Sequence, residues 1–326
     1  MRFTPKDRFI LYSELAKLLE AGFPLESALD TLEHHPLPEP CMHFVRSVKQ
    51  RLSEGTSITE AVCAIEDIEI TGVETNLIKA GERGGKLEDV FAHLAIYFER
   101  LHEARRSVLR GLIYPAVVLH VAAFVPALPK MVAGQGISAL GSSFLILAVY
   151  YGLAALVYLG YRMLHRQSIG QGRTDRLLGS IPVLGKLRQM LALERFAEVF
   201  RIYLLSAFRP SEAISAAADA SQSGNLREQS AVVSTQLVDG EPLGSLLLAN
   251  NAFPKDFAAG MSTAEQAGTL DKELQRWSKH YAGRVREGFA QMETLIPKFI
   301  YAAICIYVVW TLFSFYSGYF SALSQF

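Results

Sequence analysis

The chain has 326 residues, half of them hydrophobic and a fifth charged, with 32 basic residues balanced by 32 acidic ones. That balance gives no electrostatic footprint for nucleic acid. A mean hydropathy of +0.20, over a length sufficient for two ordinary domains, points to a protein partly in water and partly in lipid.

Cys41, Cys63 and Cys305 are odd in number and form no Cys-x-x-Cys spacing, which fits a reducing compartment. The first apolar stretch is interrupted by Glu14 and Lys17, so no cleavable signal is expected and the first membrane span should do the targeting. Thr4, Pro5 and Asp7 form a helix start. Leu11, Leu15, Leu18 and Leu19 follow at helical spacing, and Gly22 with Pro24 ends the run. A second helix is expected over 24–33. Pro36, Pro38 and Pro40 should force a loop before a third over 42–53. Ser57 with Glu60, and Thr71 with Glu74, are further capping boxes. No stretch shows sustained period-two alternation, so the arm 1–110 reads as all-helical. Gly84 and Gly85 interrupt it. Residues 86–110 then continue as helix into apolar sequence, a joined element on the order of 60 Å long.

Between 111 and 161 only Lys130 is charged, and it lies between two apolar runs. A helix needs roughly 20 apolar residues to cross a bilayer, which predicts spans at 111–130 and 142–162. The turn 131–141 between them is rich in Gly134, Gln135, Gly136 and Ser138. Arg105, Arg106 and Arg110 precede the first span, and Arg162, Arg166, Arg173 and Arg176 follow the second, so both long arms are expected in the cytoplasm. Residues 163–192, with Gly170, Gly172, Gly179, Pro182 and Gly185, read as a linker along the membrane face. Helical sequence returns over 193–295. No charge follows Lys298, which predicts a third span at 296–320 with Lys298 at the interface and a tail, 321–326, on the periplasmic side.

The chain repeats itself. Leu11, Leu15, Leu19, Gly22, Phe23, Ala28 and Leu29 recur as Phe196, Phe200, Leu204, Ala207, Phe208, Ala213 and Ile214. Leu52 and Gly55 match Leu237 and Gly240. The run from Gly81 to Glu88 matches the run from Ala264 to Asp271, and Pro115 pairs with Pro297. The expected fold is an all-α membrane protein: two homologous cytoplasmic helical-bundle modules, each leading into a transmembrane helix, with the second span as return crossing between them.

Little here suggests chemistry. The Gly81–Leu87 segment lacks the spacing and the Ser or Thr of a phosphate loop and reads as a helix-to-helix turn. His34 and His35 have no partner at ligand spacing, and His102-Glu103 lacks the second His of a zinc helix. No nucleophile elbow is present. No catalytic residue, metal or cofactor is expected. Glu82 and Glu265 are open to three roles: solvated charge, helix cap or partner contact. His120, inside the first span, fits a hydrogen bond facing the helix bundle or, as the alternative, a proton-transfer group.

Two helical modules bearing versions of G-E-x-x-G-x-L, with three spans, the Tyr114-Pro115 pair and the Gly22-Phe23-Pro24-Leu25 turn, resemble the inner-membrane platform protein family of type II secretion and type IV pilus systems. The first copy is Gly81, Glu82, Gly85 and Leu87. The second, Glu265, Gly268 and Leu270, has Ala264 at the first glycine, and Ile296 precedes Pro297 where relatives often carry Glu. The resemblance implies a non-enzymatic scaffold in a bacterial inner membrane. Its motifs would dock a hexameric assembly ATPase, and its spans would contact pilin or pseudopilin subunits beside other assembly proteins and further copies of itself. Pro115 and Pro297 would mark where the cytoplasmic helices pass into the bilayer. The competing reading, a small-molecule permease, needs polar groups lining several spans at mid-membrane. Apart from His120 the spans offer mainly Tyr, Ser, Thr and Trp310.

Overall fold

The computed structural model of the protein describes residues 3–124 and 136–323. Every regular element among them is a helix. The first module runs α1 (Pro5–Glu20), α2 (Leu25–Glu33), α3 (Glu39–Ser53), α4 (Ile58–Cys63) and α5 (Gly72–Gly84), and α6 (Leu87–Phe124) leads out of it. After α7 (Gly136–Gly170) and α8 (Gly172–Gly179) the second module runs α9 (Leu184–Leu205), α10 (Pro210–Ser221), α11 (Gly224–Val238), α12 (Leu243–Ala249) and α13 (Lys255–Ala267). The last helix, α14 (Leu270–Leu323), leads out in turn.

The helix starts follow the chemistry of the sequence. Thr4, Ser57 and Thr71 each accept a hydrogen bond from the backbone of the acidic residue three positions on, and that residue's carboxylate accepts from the cap's own amide. Pro40, expected in a loop, instead sits in the first turn of α3, where a missing N–H costs nothing. Larger differences lie around the second span. Residues 136–141 of the expected turn already belong to α7, and residues 163–192, expected as a glycine-broken linker, are mostly helical. Lys130, Pro126, Pro129 and the rest of that turn, 131–135, lie outside the described residues, as do the last residues of the expected tail, 324–326.

The chain forms two compact units: residues 1–103 with 165–288, and residues 104–164 with 289–326. In the first unit both modules share one continuous core, with Leu11, Leu15, Phe44 and Phe91 from one and Phe196, Phe200, Phe257 and Leu274 from the other all essentially without solvent contact. Burial of such side chains contributes about 1.5–3 kcal/mol each.

Module one also encloses charge. The Glu74 carboxylate, fully buried, accepts from Arg8 Nε at 3.0 Å, from the Tyr12 hydroxyl at 2.7 Å and from the Thr71 amide at 2.8 Å. Burial and the neighbouring Glu74 charge push the Tyr12 hydroxyl well above its ordinary range, so it remains a donor. At the corresponding positions of module two stand Leu193, Ala197, Phe257 and Pro254. The ionic centre is replaced there by apolar side chains, and the amide that Glu74 satisfies is replaced by a proline that has none.

Among the described residues three helices are long and apolar enough to cross a membrane: Leu87–Phe124, Ser143–Gly170 and Leu270–Trp310. In the second unit, among the described residues, they meet two by two through aromatic contacts, and the α6-to-α7 seam holds two of these, one of them Phe124 edge-on to Phe144 at 5.8 Å. Tyr114 and Tyr301 stack at 5.7 Å with hydroxyls 2.9 Å apart (α6 to α14), His120 meets Tyr151 (α6 to α7), and Tyr150 meets Tyr307 edge-on at 5.8 Å (α7 to α14).

Candidate docking turns and the interface between modules

The two G-E-x-x-G segments fold into the same turn. Gly85 and Gly268 take φ of 63° and 67°, the left-handed conformation in which glycine pays no Cβ penalty. The amide of Lys86 donates to the Gly81 carbonyl at 2.7 Å, and that of Thr269 donates to the Ala264 carbonyl at 2.8 Å. The shorter closure, from Gly85 to Glu82 and from Gly268 to Glu265, accompanies each. This is a Schellman helix end. The first glycine has a separate reason: a Cβ on Gly81 would lie 2.7 Å from Val90 Cγ2. In the second copy Glu273 stands where Val90 does, and Ala264 is accommodated.

Both motif carboxylates cap a short helix from across their own module. Glu82 accepts from the amides of Ile58 (2.7 Å) and Thr59 (3.3 Å) and from the Thr59 hydroxyl (2.5 Å) at the start of α4. Glu265 accepts from the amides of Leu243 (2.8 Å) and Gly244 (2.7 Å) at the start of α12, whose Pro242 offers no side-chain cap. Negative charge on unsatisfied N–H groups at a helix start is favourable twice over. Of the three roles left open by the sequence, capping is the one that both carboxylates perform. Leu87 and Leu270 follow each turn and pack partly buried against the core. Beside Glu265 opens a groove of about 790 Å³, lined among others by Arg209, Leu237, Val238, Pro242, Gln266 and Leu270.

How the modules join is not legible from residue spacing. Module one lays α5 and the start of α6 against α9 and α10 of module two. Gly84 sits so close to Ser206 that a Cβ would lie 2.3 Å from its Oγ and 3.2 Å from its Cα. Arg83 stacks over the Phe208 ring at 4.0 Å. Arg195 donates to the Tyr97 hydroxyl at 2.8 Å, Tyr203 donates to Asn76 at 3.2 Å, and Arg100 pairs with buried Glu194 at 2.5 Å. Glu198 receives Arg201 at 2.6 Å and lies 3.3 Å from His93. Burial opposes the Glu198 charge, but His93, Arg201 and the Ser278 hydroxyl outweigh it and lower the carboxyl to about 2.

The proline positions also come together. Gly111, one turn before Pro115, faces the Pro297 ring, which a Cβ there would meet at 3.4 Å. Pro115 is buried and continues helix α6, as Pro297 continues α14. The His120 Nδ1–H donates to the Ala116 carbonyl at 2.7 Å, an assignment that leaves Nε2 to accept from the Tyr151 hydroxyl at 3.3 Å. His120 thus spends both nitrogens within the helix bundle.

Comparison with known proteins matches the type II secretion system (T2SS) protein F family model to residues 11–129 and again to residues 196–318. The chain belongs to this family. The two matched segments coincide with the internal repeat, and the return span and α8 fall in the gap between them. Relatives include a type II secretion system protein F of Vibrio cholerae, 25% identical over 83% of this chain and 71% of its own. Type IV pilus assembly proteins PilC also match: one of Thermus thermophilus at 25% identity (89% and 76% covered), and one of Pseudomonas aeruginosa at 24% (93% and 86%). The chain is thus an inner-membrane platform protein of the type II secretion and type IV pilus assembly class, a family without enzymatic activity.

Proposed function

We propose that this platform protein couples a cytoplasmic hexameric assembly ATPase to pilin or pseudopilin subunits in the membrane, working as a homo-oligomer among other inner-membrane assembly proteins. The observation that carries this reading is the duplicated module in which each copy continues, without a helix break, into an apolar helix: α6 from the first and α14 from the second. Both modules and the N-terminus then lie in the cytoplasm, and the C-terminus lies in the periplasm, as the arginine bias predicts.

Docking of the ATPase is assigned to the two Schellman turns, at the exposed residues beside the capping glutamates. The groove next to Glu265 supports that choice, because exposed Val238 and Gln266 give a partner side chain something to bury. Val238→Asp with Gln266→Arg changes that surface without touching a cap. We expect it to abolish co-purification of the ATPase while membrane insertion and thermal stability persist. Undiminished co-purification would remove the groove as the docking site. Deletion of the gene should eliminate surface fibres or secreted protein, and complementation should restore them.

A further inference from the structure

The segment after the second span carries a surface that the platform role does not use. One side of α8 is pinned to module two. The Gly172 amide donates to Glu228 at 2.7 Å, and Asp175 accepts from Arg188 at 2.8 Å, from the Asn225 amide at 3.3 Å and from the Ser223 hydroxyl. Gly172 and Leu178 are buried by this contact. Rotation of the helix is thereby fixed, and Arg173, Arg176 and Leu177 must face outward, Leu177 with 71% of its surface open.

The loop that follows is held in an unusual shape. Val183 has φ 68° and ψ −58°, and the Leu184 amide donates to the Pro182 carbonyl at 2.9 Å. This is the strained hand of the γ-turn, which a β-branched residue adopts only when its surroundings impose it. Gly185 imposes it by lying against Gly179, where a Cβ would stand 2.0 Å from the carbonyl oxygen. The tip so formed presents Ile181 and Pro182 to the outside.

Along the same stretch of chain Arg166 at the end of α7, Arg173 and Arg176 on α8, and Lys186 just after the tip are all exposed. None forms an ion pair among the described residues. Asp175, the acid nearest in sequence, is spent on Arg188. An apolar tip in a segment whose exposed cations have no ion-pair partner among the described residues has the composition of a segment that lies in a membrane interface. The chain reaches it directly from a helix long and apolar enough to cross a membrane, Ser143–Gly170.

We propose that α8 and the loop 180–183 form a docking surface for anionic phospholipid headgroups of the leaflet. Leu177, Ile181 and Pro182 rest at the hydrocarbon edge, and the four cations sit among the phosphates. Each cation near an anionic surface shifts such an equilibrium by about fivefold.

The test uses the full chain with Cys63→Ser, Cys305→Ser and Leu177→Cys, labelled at position 177 with an environment-sensitive fluorophore. Cys41 stays unlabelled, because burial pushes its thiol up to about 12. The protein is reconstituted into vesicles of phosphatidylcholine, with or without phosphatidylglycerol. Blue-shifted emission and quenching by a lipid-borne quencher are expected in the anionic vesicles. Arg173→Glu with Arg176→Glu removes two attractive charges and adds two repulsive ones, and should lower the docking equilibrium constant by roughly 600-fold. Should that pair fail to fold, Arg173→Gln with Arg176→Gln reads the same effect at about half the logarithmic size. Equal emission in both vesicle types overturns the proposal, as does quenching indifferent to the arginines. A shift produced by inorganic phosphate in detergent overturns it in favour of a phosphate site, and a shift that follows protein density rather than lipid charge overturns it in favour of a second copy.

Discussion

At the scale of single residues, the duplication provides its own control experiment. Module one holds Arg8, Tyr12 and Glu74 in a place where module two holds Leu193, Ala197 and Phe257. Breaking a buried ion pair leaves an uncompensated charge, whereas replacing the whole set by apolar groups is often neutral. Arg8→Leu alone should therefore cost about 3–5 kcal/mol. Arg8→Leu, Tyr12→Ala and Glu74→Phe, with Thr71→Pro to remove the orphaned amide, should recover most of that loss in a thermal unfolding measurement. A smaller test lies at Ala207, exposed at φ 58° where the first module has Gly22 at φ 85°. Ala207→Gly should raise stability by about 1 kcal/mol, because the left-handed conformation costs an alanine that much. Glu82→Ala should lower it by about 1–2 kcal/mol through the lost cap on α4, which means that charge reversal at Glu82 would test folding before it tested docking.

Among the elements, what the sequence disclosed and what it hid have physical causes. The capping boxes at Thr4, Ser57 and Thr71 were legible because a cap is a local device, complete within four residues. The helices within residues 163–192 are hidden in the sequence because their glycines look like breakers. Gly172 and Gly185 in fact serve close approach: a Cβ on Gly172 would lie 2.3 Å from a Glu228 carboxylate oxygen, and one on Gly185 would meet the Gly179 carbonyl. Composition cannot distinguish a glycine that ends a helix from one that lets another element in. The module interface was invisible for a related reason, since its pairs, such as Arg195 with Tyr97, lie 98 positions apart. Gly84→Ala should open that interface at a cost of about 1–3 kcal/mol, and adding Ser206→Gly should restore it, which a double-mutant cycle would register. Acid should weaken the same interface. The Glu198 carboxyl is lower when folded than when unfolded, so its stabilisation is complete above the ordinary carboxylate range of about 4.5 and disappears as pH falls toward about 2. Glu198→Gln should flatten the unfolding temperature across that window, with the wild-type protein as reference.

For the molecule as a whole, the sequence reading of an odd number of crossings is measurable directly: a reporter fused after Phe326 should be active only on the periplasmic side, and one fused before Met1 only in the cytosol. The spans were read from hydropathy alone, and hydropathy says nothing about how the crossings are tied to one another. That is settled by Tyr114 with Tyr301, His120 with Tyr151, and Tyr150 with Tyr307. Each crossing is tied in this way to both of the others, so no one of them can swivel about its long axis without parting from both neighbours. The trio behaves as a braced tripod. Torque applied to one leg is shared by all three, and leaning in concert is the motion that leaves every brace intact.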